Sequence, residues 1–343
     1  MSSAPIVELF PLTSDETGAR VVAFKNAAMK ELQPRWGDLS VTEFRVIRSS
    51  PAEHADFFGI DDESGDLAAL GVVVQFTDGA NAHLVWVQIY VRPDMRRKGH
   101  GRRLLERAMD ITTAAGRSVM GVDVYDTAPG AEEFVASVGA AVGMQEHISV
   151  VATSAVDSAK MERWREQGPS RADGYEVMQW TDTYPHGYDG QLAGLFVNAD
   201  EDMPFEDASF EPGRETAETV RGRLERTKDT IKRVTSVARH IETDTVAGFS
   251  ELLLFASDPS TLLTSLTAVH RDHRGHALGK WLKADAILRG MDRWPGATHI
   301  QTENAQSNAP MLGINHEIGF ELEHTMIFYE ATVEQVREYL NRS

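Results

Sequence analysis

The chain contains two similar stretches that lie 178 positions apart, and this internal repeat limits its possible folds more than any other feature. In both copies an apolar run typical of a strand precedes a turn with basic residues, and an amphipathic helix follows. Identical residues at this offset include Val91 and Val269, Asp94 and Asp272, Arg96 and Arg274, Gly101 and Gly279, and Leu104 and Leu282. Because the predicted flanking elements also recur in the same order, the repeat predicts two copies of one fold.

The length of the chain agrees with a duplication. At 343 residues it is long for a single hydrophobic core, so two domains are expected. We predict a first domain over residues 1–155, a linker over residues 156–174 and a second domain over residues 175–343. The linker is placed where Gly168, Pro169 and Gly174 lie among small and charged residues, a composition typical of connecting segments.

The basic turn of each copy has the features of a phosphate-binding site. In the first copy Arg96, Arg97 and Lys98 precede Gly99, and the predicted helix begins directly afterwards. The first backbone N–H groups of a helix have no partner within it, and the helix dipole favours an anion there. The sequence therefore predicts an anion site at residues 96–101 and a second one at residues 274–279.

Composition excludes several classes of function. The net charge of −18 argues against binding to nucleic acids or anionic membranes, because both require a basic surface. The absence of cysteine excludes disulfides, thiolate zinc sites and a cysteine nucleophile. No apolar stretch reaches the roughly 20 residues of a membrane helix, and residues 1–9 do not have the pattern of a signal peptide. We therefore expect a cytoplasmic protein, either a monomer or a homodimer.

The turn motif also carries a family resemblance. Arg96-x-x-Gly99-x-Gly101, and Arg274-x-x-Ala277-x-Gly279 in the second copy, resemble the acyl-CoA-binding motif of the GCN5-related N-acetyltransferases (GNAT superfamily). The resemblance implies an α/β (α+β) chain of two tandem GNAT folds, each a mixed, mostly antiparallel, splayed sheet flanked by helices. The duplicated arrangement is similar to that of tandem acetyltransferases such as mycothiol synthase. The implied cofactor is acetyl-CoA, bound as the acyl donor, with no metal.

In that family the turn holds the CoA pyrophosphate, and the open edge of the preceding strand hydrogen-bonds to pantetheine as an added strand would. The implied CoA-binding residues are Ile89, Tyr90, Val91, Arg96, Arg97, Lys98, Gly99, His100, Gly101 and Arg102 in the first half, and Thr267, Ala268, Val269, Arg274, Gly275, His276, Ala277, Leu278, Gly279, Lys280, Asn304 and Asn308 in the second. His270, His273 and His276 lie on the same turn, where their spacing does not indicate converging metal ligands.

A second motif distinguishes the two halves. Asn308, Met311, Asn315, Gly319 and Phe320 resemble the second CoA-binding block of the family, in which the Asn lies near the pantetheine arm. The first half departs from this pattern, with residues 126–130 in place of the start of the block and Gly-Ala at residues 139–140 in place of Gly-Phe. We expect both halves to bind CoA and the second half to carry the chemistry.

The expected reaction is direct transfer of the acetyl group to an amine, which needs a general base but no covalent nucleophile. Glu251 is the candidate base, because it is a charged residue in an otherwise apolar strand; the alternative is a solvent-facing strand residue. Asn315 stands where the family has its common acid, a Tyr. Asn315 can hydrogen-bond to a sulfur or a water, but it cannot act as an ordinary acid.

The expected function is N-acetylation of a primary amine on a small molecule. The alternative is a non-catalytic acyl-CoA-binding protein that acts as a sensor or a scaffold, which the altered second block of the first half would favour. The acidic segment at residues 198–207 either attracts an ammonium group or is an ordinary solvated loop.

Overall fold

A computed structural model of the chain describes residues 4–9, 12, 14–77, 79 and 81–342. The chain divides into two compact units. Unit 1 comprises Met1–Gln145, Phe205–Glu211 and His324–Ser343, and unit 2 comprises Glu146–Pro204 and Pro212–Glu323. These units differ from the domains predicted in chain order, because each unit contains a segment from the other half of the sequence.

Unit 1 is built around a sheet with helices on both faces. Its strands are β1 (Ile6–Glu8), β2 (Glu53–Asp61), β3 (Leu67–Phe76), β4 (Leu84–Val91), β5 (Val119–Tyr125) and most of β12 (Glu321–Thr332). Its helices are α1 (Asp15–Leu32), α2 (Val41–Ile47), α3 (His100–Ala114), α4 (Ala131–Val138) and α10 (Val333–Asn341). A 3₁₀ turn, Pro93–Met95, connects β4 to α3.

Unit 2 repeats this plan. Its strands are β6 (Ala141–Ala152), of which the last seven residues lie in this unit, β7 (Tyr175–Thr181), β8 (Ile231–His240), β9 (Thr245–Phe255), β10 (Asp258–Val269) and β11 (His299–Ala305). Its helices are α5 (Ser158–Arg171), α6 (Asp189–Asp202), α7 (Ala217–Thr227), α8 (Leu278–Arg293) and α9 (Ala309–Ile318). Here the 3₁₀ turn is Arg271–His273, and it connects β10 to α8.

The two sheets have matching strand orders, β1-β2-β3-β4-β5-β12 in unit 1 and β7-β8-β9-β10-β11-β6 in unit 2. Within each unit the strands pair antiparallel, apart from the parallel pairs β4–β5 and β10–β11. Each sheet closes with a strand that the sequence places in the other half, since β12 pairs with β5 and β6 pairs with β11. The mixed, mostly antiparallel sheets confirm the predicted fold class.

Each sheet separates two cores. In unit 1 the core on one face lies under α3, α4 and α10, and the core on the other face lies under α1 and α2. In unit 2 the corresponding faces are covered by α5, α8 and α9, and by α6 and α7. Because side chains alternate along a strand, these cores show which face each strand residue occupies.

The predicted linker at residues 156–174 is largely a helix of unit 2. Helix α5 continues through Pro169 to Arg171 and packs against α8. Gly168 permits this packing, because a Cβ at that position would lie 2.2 Å from the indole ring of Trp281. The glycine that indicated a flexible connection is thus a point of close helix contact.

Candidate functional site

Both units contain a gap between their two parallel strands. In unit 1, β4 and β5 pair only through residues 84–86 and 119–121, although β4 continues to Val91. In unit 2, β10 and β11 pair only through residues 261–263 and 299–301, although β10 continues to Val269. The backbone of residues 89–91 and of residues 267–269 therefore has one edge free of the neighbouring parallel strand. The family resemblance implies pantetheine binding at this open edge.

The gap of unit 2 has an irregularity that the gap of unit 1 does not have. Strand β3 pairs with β4 in continuous register, whereas the register of β10 against β9 shifts between Thr264 and Thr267. Two residues of β10, Ser265 and Leu266, thus lie opposite the single residue Glu251 of β9, which is the arrangement of a β-bulge. A bulge changes the direction of local backbone groups, and here it lies at the point where β10 leaves β11.

The loop after each gap has the same backbone course in both units. Two residues in each loop adopt left-handed conformations, Arg97 and Gly99 in unit 1 and Gly275 and Ala277 in unit 2, with φ between +57° and +87°. The glycine occupies the second of these positions in unit 1 and the first in unit 2. A side chain in this conformation costs about 1 kcal/mol, so each loop keeps its shape with one strained residue and one glycine.

These loops form open cradles of backbone donors. None of the backbone N–H groups of residues 97–102 or 275–280 donates to a carbonyl within the described part of the chain. A Cβ added to Gly99 or Gly275 would meet no atom within 4 Å, so the loop surface is accessible. A helix start with free N–H groups and a small residue at its surface is suited to bind a phosphate.

The motif arginines brace the loops. The Nε of Arg96 donates to the carbonyl of Val91 at 3.1 Å, and its Nη1 donates to Glu31 of α1 at 2.8 Å. Arg274 repeats this arrangement by donating to the carbonyl of Val269 at 3.2 Å and to Asp202 of α6. Each arginine thus connects its turn to two other elements, the end of the preceding strand and a helix on one face of the sheet.

Part of the acidic segment at residues 198–207 forms ion pairs with the loop of unit 2. Asp202 binds Arg274, and Glu201 binds Arg271 of the same loop at 2.8 Å. Two carboxylates of the segment therefore neutralise arginines of the loop, a role that neither of the two interpretations of this segment included.

Other predicted CoA-binding side chains have protein partners. Arg102 donates to the carbonyls of Leu340 and Arg342 at the end of α10, at 2.5 and 3.0 Å. Lys280 pairs with Glu317 at 2.7 Å. In these two residues the guanidinium and ammonium groups stabilise helix packing, and only their backbone N–H groups belong to the cradles.

Of the remaining predicted side chains, Ile89, Val91, Ala268 and Val269 pack against the cores, and the Thr267 hydroxyl hydrogen-bonds to Ser250 at 2.8 Å. Leu278 is buried in the core of unit 2, and Tyr90 packs in the α1/α2 core of unit 1. Those that reach solvent at the cradles are Arg97, Lys98 and His276, and His100 is half-buried. Burial, together with neighbouring Arg103 and Lys98, lowers the pKa of His100 below its usual value. His100 therefore tends to be neutral at the cradle.

The second block of unit 2 contains a buried polar cluster. Asn308 caps α9 by accepting a hydrogen bond from the backbone N–H of Met311. Asn315 is 3% exposed; its Nδ2 donates to Asn304 Oδ1 at 2.6 Å, and its Oδ1 accepts from Lys283 Nζ at 2.5 Å. Burial lowers the pKa of Lys283 to about 7. Sequence reasoning did not select Lys283, although a lysine between Leu282 and Ala284 in a largely apolar helix was a usable signal.

Glu251 is buried, so the solvent-facing alternative for this residue is wrong. It is 5% exposed and lies on the α6/α7 face of the sheet. Its Oε2 accepts from the Tyr184 hydroxyl at 2.6 Å and from Thr235 at 3.0 Å, and Arg233 Nε lies 3.8 Å away. Burial and the neighbouring Glu251 raise the pKa of Tyr184 well above its usual value. These contacts give Glu251 a clear structural role between β8, β9 and Tyr184.

A second carboxylate on this face of unit 2 lies at the gap. Glu303 is on β11, two residues beyond the last residue paired with β10, and alternation places it on the face opposite Asn304. Its side chain reaches solvent, yet the surrounding protein atoms partly desolvate it. This raises the pKa of its carboxyl above the usual value, although the hydrogen bond from Gln301 lowers it. Asp123 is the fifth residue of β5, as Glu303 is the fifth of β11.

In unit 1 the same face of the gap is occupied by a network of side chains. Trp86 donates to Asp123 at 2.8 Å, and Lys25 donates to Gln88 and to the Tyr90 hydroxyl at 3.1 and 3.2 Å. Burial, with a contribution from the positive charge of Arg48, lowers the pKa of Lys25 to about 7. Beside this network is a pocket of about 250 Å³, lined by Arg48, Glu53, Val74, Phe76, Trp86, Gln88 and Phe210.

Two classes of site are not found in the described residues. They contain no group of three or more His, Cys, Asp or Glu side chains arranged to hold a metal ion. None of their helices combines the length and the apolar character that crossing a bilayer requires.

Comparison with known proteins agrees with this geometry. The model of the acetyltransferase (GNAT) family matches residues 21–140. No curated protein sequence matches the chain.

Among solved structures, a tandem GNAT protein from the clavulanic acid biosynthesis pathway is similar over 96% of this chain and 98% of its own, with a TM-score of 0.77 and 22% identity. A GCN5-related N-acetyltransferase from Sphaerobacter thermophilus covers 96% and 97%, with a TM-score of 0.65 and 14% identity. The N-myristoyltransferase of Saccharomyces cerevisiae covers 96% and 80%, with a TM-score of 0.60 and 12% identity. Residues 21–140 therefore match the GNAT acetyltransferase family, and the whole chain has the fold of the tandem GNAT protein.

Proposed function

We propose that the protein is an acetyl-CoA-dependent N-acyltransferase that acetylates a primary amine on a small molecule, and that unit 2 carries out the reaction. The observation that carries this proposal is the gap of unit 2, where an open strand edge, a cradle of free N–H groups and the carboxylate of Glu303 meet. The cradle fits the CoA pyrophosphate, and the open edge fits pantetheine. The thioester would then lie in the gap beside β11.

The reaction needs a base on one side of the thioester. The amine approaches from the α6/α7 face, and Glu303 takes its proton directly or through a water as the N–C bond forms. The C–S bond then breaks, and CoA leaves as a thiolate that takes up a proton. The bulge in β10 supports this step, because N–H groups released from regular pairing with β9 can donate to the thioester oxygen as its charge develops.

Glu303 is preferred to Glu251 as the base because of their surroundings. Glu251 accepts two hydroxyl hydrogen bonds and is 5% exposed, so an incoming amine would have to displace Tyr184 or Thr235. Glu303 reaches solvent at the gap, and its raised pKa moves it closer to the range useful for proton transfer. We assign Glu251 the role of holding the acceptor side of the unit 2 sheet in shape.

Unit 1 is proposed to bind CoA without turnover. Its cradle and open edge match those of unit 2, but β4 has no bulge, and its carboxylate Asp123 already accepts from the Trp86 indole. A small amine as acceptor is supported by the net charge of −18, which favours cations near the protein. The tandem GNAT protein of similar fold comes from the clavulanic acid biosynthesis pathway, which also supports a small-molecule acceptor.

The test measures free thiol released from acetyl-CoA in the presence of a panel of primary amines, amino acids, aminoglycosides and peptides. Glu303→Gln is expected to lower kcat by about 100-fold with little change in the KM for acetyl-CoA. Glu251→Gln is expected to lower the free energy of unfolding and to leave the kcat of the folded protein largely unchanged. Glu242→Gln, in the exposed turn between β8 and β9, is the matched control.

Two outcomes would contradict parts of this proposal. If Glu251→Gln loses turnover at unchanged stability while Glu303→Gln keeps it, the two roles are reversed. If acetyl-CoA binds but no amine causes thiol release, the protein is instead an acyl-CoA sensor or scaffold.

A further inference from the structure

Three polar side chains of unit 2 form a directed chain of hydrogen bonds that begins in the helical layer and ends at the gap. Lys283 of α8 donates to Asn315 of α9 at 2.5 Å, and Asn315 donates to Asn304 of β11 at 2.6 Å. Lys283 is 1% exposed and Asn315 is 3% exposed, so solvent competes little for either bond. Each bond in such a chain polarises the next one.

The lysine determines how both amides are turned. The Nζ of Lys283 has N–H donors in either protonation state, and the atom of Asn315 that accepts from it is the oxygen. The Nδ2 of Asn315 then faces Asn304, and the atom of Asn304 that receives it must also be an oxygen. Thr302 donates to the same oxygen at 3.4 Å. The two N–H groups of Asn304 Nδ2 consequently point away from the chain, and they have no partner among the side chains described.

The end of this chain lies at the gap. Asn304 is three residues beyond Gln301, the last residue of β11 that pairs with β10, and it is half-buried. Helix α9 also approaches the cradle near its end, because the Cδ1 atom of Ile314 lies 3.6 Å from the position that a Cβ on Gly279 would occupy. A ligand held by the cradle and extended along the open edge of β10 would therefore pass Asn304 on the α8/α9 face.

Unit 1 does not have this chain. Leu105 is the sixth residue of α3, as Lys283 is the sixth of α8. Val124 is the sixth residue of β5, as Asn304 is the sixth of β11. Val135 precedes the left-handed glycine at the end of α4 by four residues, as Asn315 does in α9. All three polar residues are thus apolar in unit 1, although the cradle and the open edge are present in both units.

We propose that Lys283, acting through Asn315, holds Asn304 as a hydrogen-bond donor to the sulfur of acyl-CoA in the gap of unit 2. The proposal rests on the proposed function, because it assumes that a CoA thioester is the ligand. When the C–S bond breaks, its electron pair stays on sulfur, and the two N–H groups of Asn304 stabilise that thiolate until it takes up a proton. Lys283 does not touch the ligand, so it is a positioning residue.

The experiment measures the affinities of CoA and of desulfo-CoA, in which the thiol is replaced by hydrogen, at a pH above the thiol pKa. The wild type is expected to bind CoA at least ten-fold more tightly than desulfo-CoA, the value of a hydrogen bond to a charged atom. Lys283→Met has a side chain of similar size that cannot donate a hydrogen bond to Asn315. This variant is expected to lose most of the preference for CoA over desulfo-CoA. Lys228→Met, an exposed lysine paired with Glu225, is the matched control and is expected to keep the preference.

The ratio of the two affinities separates this role from a general loss of structure, because damage to the site weakens both ligands alike. All proteins compared carry Gly101→Glu, which is expected to abolish the unit 1 site, so the ratio reports on the unit 2 site alone. Asn315→Leu breaks the chain with the lysine in place and is expected to reproduce Lys283→Met, so the test does not depend on a single variant. An unchanged ratio in both variants, or equal binding of both ligands by the wild type, would overturn the proposal.

Acetyl transfer by the same wild-type preparation is measured in parallel. A wild type that transfers acetyl groups but shows no preference for CoA refutes only the role of Lys283. A wild type that prefers CoA but transfers to no amine refutes the proposed function and leaves the thiol contact in place.

Discussion

The buried lysine of unit 2 makes a quantitative prediction about stability and pH. Burial lowers the pKa of Lys283 from 10.5 to about 7, and no charged neighbour contributes to this shift among the described residues. Between these two values the unfolded chain holds a proton that the folded chain has released. Stability therefore rises with pH in this window, by about 1.4 kcal/mol for each pH unit. Above pH 10.5 the lysine is neutral in both states and its burial costs no charge desolvation. The full cost of burying the charged ammonium group is reached as the pH falls to about 7.

Lys283→Met removes this term. Between pH 7 and pH 9 the free energy of unfolding of the wild type is expected to rise by about 2–3 kcal/mol more than that of the variant. Urea unfolding at three pH values in this range, with Lys228→Met as control, measures the difference. Hydrogen exchange of the α8 amides confirms that the transition followed is that of unit 2. Equal pH dependence in the wild type and Lys283→Met would show that the lysine is not desolvated as its burial indicates.

Further predictions concern the cradles, their braces and the buried carboxylate. Gly101→Glu and Gly279→Glu are each expected to abolish one of two CoA sites, because each places a carboxylate at a cradle. Calorimetric titration measures the number of CoA molecules bound. If only the Gly101 variant loses acetyl transfer, the reaction takes place in unit 1. Asp202→Asn loosens Arg274, and a rise of several-fold in the KM for acetyl-CoA is expected without a change in unfolding temperature. Glu251→Gln removes the negative charge that faces Arg233 and accepts from the Tyr184 and Thr235 hydroxyls. Chemical denaturation is expected to show that the free energy of unfolding falls by about 1–3 kcal/mol.

Local sequence was sufficient to predict the repeat and the cradles, and the family resemblance of the two turn motifs implied the fold class. The strand, the basic turn and the helix are contiguous in each copy, and the glycines mark backbone conformations that other residues adopt at a cost. The predicted tandem GNAT fold is confirmed for this reason.

Non-local pairing could not be predicted in the same way. The strand at the end of the first half pairs with β11 and the last strand of the chain pairs with β5, which no local pattern records. The bulge opposite Glu251 depends on the register between two strands, and a shift of one residue changes which face a side chain occupies. Lys283 and Asn304 are 21 positions apart in the sequence and are joined only through α9, so their relation required the structure.

The alternation of side chains along β11 explains how one strand can serve both ends of the proposed reaction. Glu303 and Asn304 are consecutive, so they occupy opposite faces of the sheet at the edge of the same gap. A thioester that passes through the gap would meet a base on the side from which the amine approaches and a hydrogen-bond donor on the side to which the sulfur leaves. Unit 1 keeps an acid at the first position and has Val124 at the second. We therefore propose that its gap holds CoA without a side-chain donor from this position to the departing sulfur, and we place turnover in unit 2.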